Sequence, residues 1–248
     1  MKILVVNSNT SPHITELATT EARLAASSGT EVVGVTAPFG ARVIETRGEE
    51  AIAAHATLTA LAEHHRGCDA AVIACFGDPG LAAARELLPI PVVGIAEAAM
   101  LTACFLGGRF GIVTVGARAI PYLRELADAY GVGGRLAGIR TMEESLLDIG
   151  RRPDAYGDAF VKLSHTAVEE DGADSLILGG AALAGMARRL RDRVPVPLLD
   201  GTACAVRQAE TLVALGFRKA TVGSYSQPEG RAVLNVAKDL ADLFRPTT

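Results

Sequence analysis

The sequence predicts an α/β protein of two pseudo-symmetric lobes, each a parallel four-stranded sheet flanked by helices. Three observations predict it. Apolar runs of strand length alternate with helical stretches along the whole chain. Those runs are continuous rather than alternately apolar and polar, as parallel strands covered on both faces are. The pattern also repeats. Asp69-Ala-Ala-Val-Ile-Ala-Cys and Asp174-Ser-Leu-Ile-Leu-Gly-Gly lie 105 positions apart, and Thr30-Glu-Val-Val-Gly-Val and Gly134-Arg-Leu-Ala-Gly-Ile lie 104 apart. The strands ending at Asn7 and Thr114 are offset by 107, and Ile90-Pro-Val-Val matches Val196-Pro-Leu-Leu more loosely. Four elements in one order at a near-constant offset predict one α/β unit used twice.

In order, strands are expected at 2–6, 31–37, 69–75, 91–95, 110–113, 135–141, 175–178 and 197–199, with a last one at 220–224. Helices are expected at 12–27, 49–65, 80–88, from 97, at 118–130, from 143 with a break near 151–153, and at 155–170, 181–192, 201–215 and 230–243. Pro12 is suited to the first turn of its helix. Residues 49–65 carry Ala and Leu at helical spacing. The first lobe is expected to comprise 1–97 plus 216–248, and the second 98–215.

Composition narrows the function. The chain has 248 residues, 49% apolar and 21% charged, with a net charge of −4. That balance speaks against a nucleic-acid partner, which would call for a basic face. No run approaches the ~18 apolar residues of a membrane span. The opening Met1-Lys-Ile-Leu-Val-Val is expected to be a strand rather than a signal peptide. Cys68, Cys75, Cys104 and Cys204 show no metal spacing and are expected to be reduced in a cytoplasmic protein. No Walker A, Gly-x-Gly-x-x-Gly or Gly-x-Ser-x-Gly sequence is present, so neither a nucleotide nor the usual serine hydrolase is expected. The histidines lack a metalloprotease pattern, and His64 and His65 are placed facing solvent near a helix end. No metal and no cofactor are expected.

What remains is residues 70–80, Ala-Ala-Val-Ile-Ala-Cys-Phe-Gly-Asp-Pro-Gly. Cys75 is expected where a buried strand gives way to a helix N-terminus, a place that points N–H groups at a ligand and can lower a thiol pKa. Asp78 is expected to cap the helix whose first turn begins with Pro79. Ligands in open α/β sheets bind at the carboxyl ends of strands, so Asn7, Cys75, Thr114 and Gly180 are expected around one cleft. A thiolate takes a proton from carbon when the carbanion is delocalised onto a carbonyl. N–H groups at Phe76, Gly77, Gly180 and Ala181 are placed to hold such an enolate.

Asn7-Ser-Asn-Thr, Ala74-Cys-Phe-Gly-Asp-Pro-Gly-Leu, Pro91-Val-Val-Gly-Ile-Ala-Glu-Ala-Ala, Gly111-Ile-Val-Thr and Leu178-Gly-Gly-Ala resemble the aspartate/glutamate/hydantoin racemase superfamily. The hydantoin and allantoin racemase branch is the one the chain most resembles, from residue 2 to about 225. The resemblance implies cofactor-independent proton transfer by two cysteines, one per lobe, on opposite sides of an acidic C–H. It also implies a small-molecule substrate and a homo-oligomer. Cys75 matches the first cysteine, but the second position is Gly180. Alternatives therefore stand open: a water serving the second face, a variant lacking its second cysteine, a binding protein on this scaffold, or one-sided chemistry. Arylmalonate decarboxylase, in the same superfamily, is the single-cysteine precedent for the last.

Around Cys75, the expected substrate contacts are Asn7, Asn9, Thr10 and Thr114, with Phe39 and Ile44 as a pocket wall. Phe76, Gly77, Asp78, Gly179, Gly180 and Ala181 complete the expected site. Arg118 is a candidate for a substrate carboxylate. Glu97 is expected to favour a helix start, and Arg188, Arg189 and Arg191 to form a solvated helix face.

Overall fold

The structure is a computed structural model that describes residues 1–144, 146–228, 230 and 232–245. The first half runs β1 (Lys2–Asn7), α1 (Pro12–Ala25), β2 (Glu31–Thr36), α2 (Arg47–His64), β3 (Ala70–Ile73), α3 (Leu81–Leu87), β4 (Val92–Gly94) and α4 (Ile95–Ala103). The second runs β5 (Phe110–Val115), α5 (Ala119–Ala129), β6 (Leu136–Met142), α6 (Leu146–Arg151), α7 (Gly157–Glu169), β7 (Ser175–Leu178), α8 (Met186–Leu190), β8 (Leu198–Asp200) and α9 (Gly201–Ala214), and α10 (Lys238–Leu243) follows. Two four-stranded sheets result, ordered β2-β1-β3-β4 and β6-β5-β7-β8, with every pairing parallel.

The continuous apolar strands are explained by cover on both faces. Along β1, Ile3 and Val5 pack with Ala18, Ala22, Val206 and Ala209, while Leu4 and Val6 pack with Ala60, Leu61 and Ala84 on the other side. β5 divides likewise. Phe110 and Ile112 meet Ala99, Met100 and Leu123, whereas Val113 and Val115 meet Phe160, Ala167 and Met186. Each such aliphatic side chain, withdrawn from water, contributes roughly 1.5–3 kcal/mol.

The halves exchange a helix. α4 follows the first sheet but lays Ala96, Ala99, Met100 and Ala103 against the second. α9 follows the second sheet but lays Ala205, Val206 and Ala209 against the first. The two helices pack on each other, and Gln208 Nε2 donates to the Ala98 carbonyl at 2.9 Å. Their small residues permit the approach: a Cβ on Gly201 would stand 2.7 Å from the Ile95 carbonyl oxygen.

Several elements depart from the sequence reading. Residues 220–224 are an irregular, bent segment rather than a strand, and the closing helix covers only Lys238–Leu243 of the expected 230–243, of which residue 231 lies outside the described residues. α10 still packs on α2, with Leu240 against Ala62 and Leu87. The expected helix 181–192 is broken into a 3-10 turn, Ala181–Leu183, then α8 and a second 3-10 turn, Arg191–Arg193. The break falls at Gly185, φ 81, whose N–H donates to Asp200 instead of continuing the helix. The helix expected from 143 is observed as α6, and residue 145 lies outside the described residues. His65 is buried rather than solvated, with Nδ1 3.0 Å from the Leu61 carbonyl oxygen. Arg188 also leaves the expected solvated face to pair with the buried Glu21 at 2.8 Å. No helix among the described residues is long and apolar enough to cross a membrane.

Candidate active site

The carboxyl ends of both sheets open on one cavity of about 700 Å³. β3 delivers Cys75 to it, followed by Phe76 and Gly77, and β7 delivers Gly179, Gly180 and Ala181. Asn9 and Ile44 line it from the first lobe and Thr114 from the second.

Cys75 does not sit at a helix N-terminus as expected. The chain turns first: Asp78 N–H closes onto the Cys75 carbonyl at 3.0 Å, and α3 starts only at Leu81, behind Gly80 at φ 78. With no helix end to favour a thiolate, burial and the Asp78 and Glu50 carboxylates push the Cys75 thiol up to about 12, opposed by a hydrogen bond from Gly77 N–H. The thiol is therefore protonated at neutral pH.

Asp78 caps a helix, but not the one beginning at Pro79. At φ 49 it turns inward and accepts from Ala96 N–H (3.0 Å) and Glu97 N–H (2.8 Å), the first turn of α4, and from the Tyr130 hydroxyl (2.7 Å). Gly94 makes room, since a Cβ there would fall 2.2 Å from the Asp78 carboxyl carbon. Burial raises Asp78 to about 6. Glu97 does open α4 and pairs with Arg85.

Asn7, Thr10 and Phe39 stand behind the cavity rather than along it. Asn7 is fully buried and braces the following loop, its Nδ2 donating to Ser11 O (3.1 Å), Thr15 Oγ1 (3.0 Å) and Asn9 Oδ1 (3.0 Å). That leaves the Asn9 amide nitrogen without an acceptor among the described residues. Thr10 and Ser11 hold the loop of Ile44 through the Ala41 and Arg42 carbonyls at 3.2 and 2.7 Å. Phe39 meets His55 edge-on at 5.0 Å. Thr114 donates to the Gly179 carbonyl at 2.6 Å and so fixes the β7 exit.

The β7 exit has two unusual features. A Cβ on Gly179 would be 2.8 Å from the Phe76 ring, which crosses from the other lobe and packs in the cores on both sides. Gly180 has φ 143, a conformation L side chains rarely adopt. The N–H groups of Phe76, Gly180 and Ala181 have no acceptor among the described residues. Cys204 lies on α9 outside the cavity lining, and burial pushes it to about 11.

Several charged or polar side chains of the cavity were not expected, Glu50, Tyr122 and Arg47 among them. Glu50 enters from the first turn of α2, just after the Thr46–Glu49 capping box. Tyr122 of α5 donates to Glu50 Oε1 at 2.5 Å and to Gly77 O at 2.9 Å. Arg47 stacks 5.9 Å over the Tyr122 ring and is held bidentate by Glu125 at 2.7 Å. Arg118 lines the mouth with no carboxylate at ion-pair distance among the described residues. The capping box was legible as a Thr-x-x-Glu spacing; the meeting of α2 with α5, 72 positions apart at Glu50 and Tyr122, carried no local signal.

Comparison with known proteins places this architecture among enzymes of the racemase class, which are isomerases. The family model for Asp/Glu/hydantoin racemase matches residues 3–209, and the chain belongs to that family. It is 39% identical to a hydantoin racemase of Pseudomonas sp. (strain NS671) over 230 residues, 92% of each chain. It is 38% identical to a hydantoin racemase of Paenarthrobacter aurescens over 94% of this chain and 100% of that one. Among solved structures, allantoin racemase from Klebsiella pneumoniae superposes with a TM-score of 0.93 at 36% identity, covering 97% of this chain and 98% of that one. Arylmalonate decarboxylase shares the fold alone, at 16% identity and a TM-score of 0.60, covering 88% of this chain and 94% of that one.

Proposed function

We propose that this protein is a cofactor-independent racemase of a hydantoin-like or amino-acid-like substrate, and that Cys75 transfers the proton at its acidic carbon. The observation that carries the reading is the position of the Cys75 thiol, in one cavity with the unpartnered N–H groups of Phe76, Gly180 and Ala181. The carbanion left by proton removal delocalises onto an adjacent carbonyl, and N–H groups held in place stabilise that oxygen without reorganising. Asn9 supplies a side-chain donor, and Ile44 an apolar contact for the substrate's substituent. Two relatives are hydantoin racemases by name, which supports a five-membered cyclic diamide with an acidic ring C–H.

A second reading is single-cysteine decarboxylation of an arylmalonate-type acid, favoured by Gly180, which offers no side chain on its face. Against it, Glu45, Glu50, Glu143 and Glu144 line the cavity beside Arg118 and an Arg47 already committed to Glu125. A dianionic malonate would meet a net acidic wall. A homo-oligomer belongs to the first reading; Phe105 at 88% exposed and Phe217 at 63% are apolar surface that such contact would cover.

The test incubates each enantiomer of 5-substituted hydantoins and of allantoin in D2O, with proton NMR and polarimetry, and Cys75→Ala as control. Exchange of the α-hydrogen with loss of rotation is expected. Release of CO2 from an arylmalonate without exchange of any hydantoin would replace this reading by the second.

A further inference from the structure

Inverting a carbon acid requires a proton taken from one face and returned to the other. Position 180 offers no side chain for this, and at φ 143 its backbone suits none. Cys204 is not in the cavity lining. The cavity does hold a carboxylate–phenol pair in hydrogen-bonded continuity with Cys75. Gly77 N–H donates to the Cys75 sulfur, the Gly77 carbonyl accepts from Tyr122 at 2.9 Å, and the same hydroxyl lies 2.5 Å from Glu50 Oε1.

This pair is short of one proton. Tyr122 has a single hydroxyl hydrogen and faces two acceptors. When Glu50 is ionised, the two acceptors share that hydrogen. When Glu50 is protonated, it donates to Tyr122, Tyr122 donates to Gly77, and both contacts are satisfied. Glu50 Oε2 has no partner among the described residues and is the atom left for substrate.

We propose that Glu50, positioned by Tyr122, is the second proton-transfer group of this cavity, so that carboxylate and thiol form an unlike pair on the two faces of the substrate. The proposal rests on the racemase reading. Glu50 Oε2 takes the α-proton, and the C–H electron pair passes to the adjacent carbonyl, giving an enolate. Cys75 S–H then returns a proton to the opposite face, leaving a thiolate and a protonated Glu50. The opposite enantiomer retraces these steps from the thiolate, and exchange with solvent resets the pair. Burial pushes the Cys75 thiol up and so suits it to be the proton donor of the pair.

Unlike groups can be separated by hand of substrate. Exchange in D2O is followed for each enantiomer of a 5-monosubstituted hydantoin with wild type, Glu50→Gln, Cys75→Ala and Tyr122→Phe. Glu50→Gln is expected to abolish inversion and to slow exchange of one enantiomer by roughly 10²–10⁴-fold. The other enantiomer should still exchange, with its configuration retained. Cys75→Ala should show the complementary preference. Tyr122→Phe should slow only the direction that Glu50→Gln loses. Glu50→Asp, the second variant should Glu50→Gln fail to fold, is expected to retain part of that direction. Unchanged exchange of both enantiomers in Glu50→Gln would overturn the proposal and leave the racemase reading standing. So would equal loss of both in a protein whose melting curve is that of wild type. Absence of exchange in wild type itself would remove the racemase reading, and this proposal with it.

Discussion

At Gly77 a missing Cβ holds two groups in register. A methyl there would lie 2.7 Å from the Tyr122 hydroxyl and 3.2 Å from its ring, so Gly77→Ala must displace the phenol from the Gly77 carbonyl and from Glu50. Turnover of a hydantoin is expected to fall by about 10²-fold, the scale of a 1 Å misplacement near the chemistry, with little change in melting temperature. A Gly77→Ala enzyme with wild-type turnover would show that Tyr122 is not needed where it stands. Cys75 carries a second prediction. With its thiol pushed up to about 12, the iodoacetamide reaction of the free enzyme should keep accelerating past pH 9. A rate that reached half its maximum near pH ~8.5, where an ordinary thiol is half ionised, and then levelled off would contradict the buried, carboxylate-flanked setting. Cys75 and the glycines at the β7 exit were legible in the sequence because strand ends carry local turn chemistry. Asn7 and Thr10 were legible as loop residues, but which polar groups such a loop keeps for itself depends on packing. Glu50 and Tyr122 were not legible, since their meeting is a property of two helices in different halves.

The strand-to-helix junctions carry the next prediction. β4 runs straight into α4 and β8 straight into α9, and each helix start is met by a buried carboxylate. In the second sheet it is Asp200, on the strand itself, accepting from Thr202 and Ala203. In the first sheet the equivalent position is Gly94, and Asp78 reaches in from the β3 loop to fill the space. Burial raises both to about 6, against an ordinary value of 3.8. Between those values the unfolded chain has released its proton while the folded chain still holds it. Stability due to each carboxyl therefore falls as pH rises, by about 1.4 kcal/mol per unit, and flattens above 6. Melting wild type beside an Asp78→Asn, Asp200→Asn double variant should show the wild-type advantage largest near pH 4 and smallest at pH 7. A gap widening with pH would reverse the assignment. Asp78 was legible as a cap from its Asp-Pro-Gly setting. Its target was not, because the helix it caps begins 17 residues further on. Likewise, the alanine- and arginine-rich run 181–192 reads as helix, and only the tertiary bond from Gly185 to Asp200 reveals the break.

For the whole molecule, the repeat was the most informative signal in the chain. Four matched elements implied two like sheets, and both sheets are present with the same strand order. What the repeat could not reveal is that α4 covers the second sheet and α9 the first, because covering either sheet needs the same alanine-rich face. Severed between Gly107 and Gly108, the chain should yield two fragments that aggregate alone, each with an uncovered sheet face and an unhoused helix. Mixed during refolding they should regain a single cooperative melt; a monomeric, cooperatively folded 1–107 fragment would contradict this. The exchange bears on ancestry as well. One repeat alone has no way to close its own core and would have to meet a twin chain, each lending the other a helix, as swapped dimers do. Joining the twins end to end makes that loan permanent. It also leaves each half free to drift in its chemistry, a cysteine retained at one strand end and a glycine at its counterpart, while neither half can be lost.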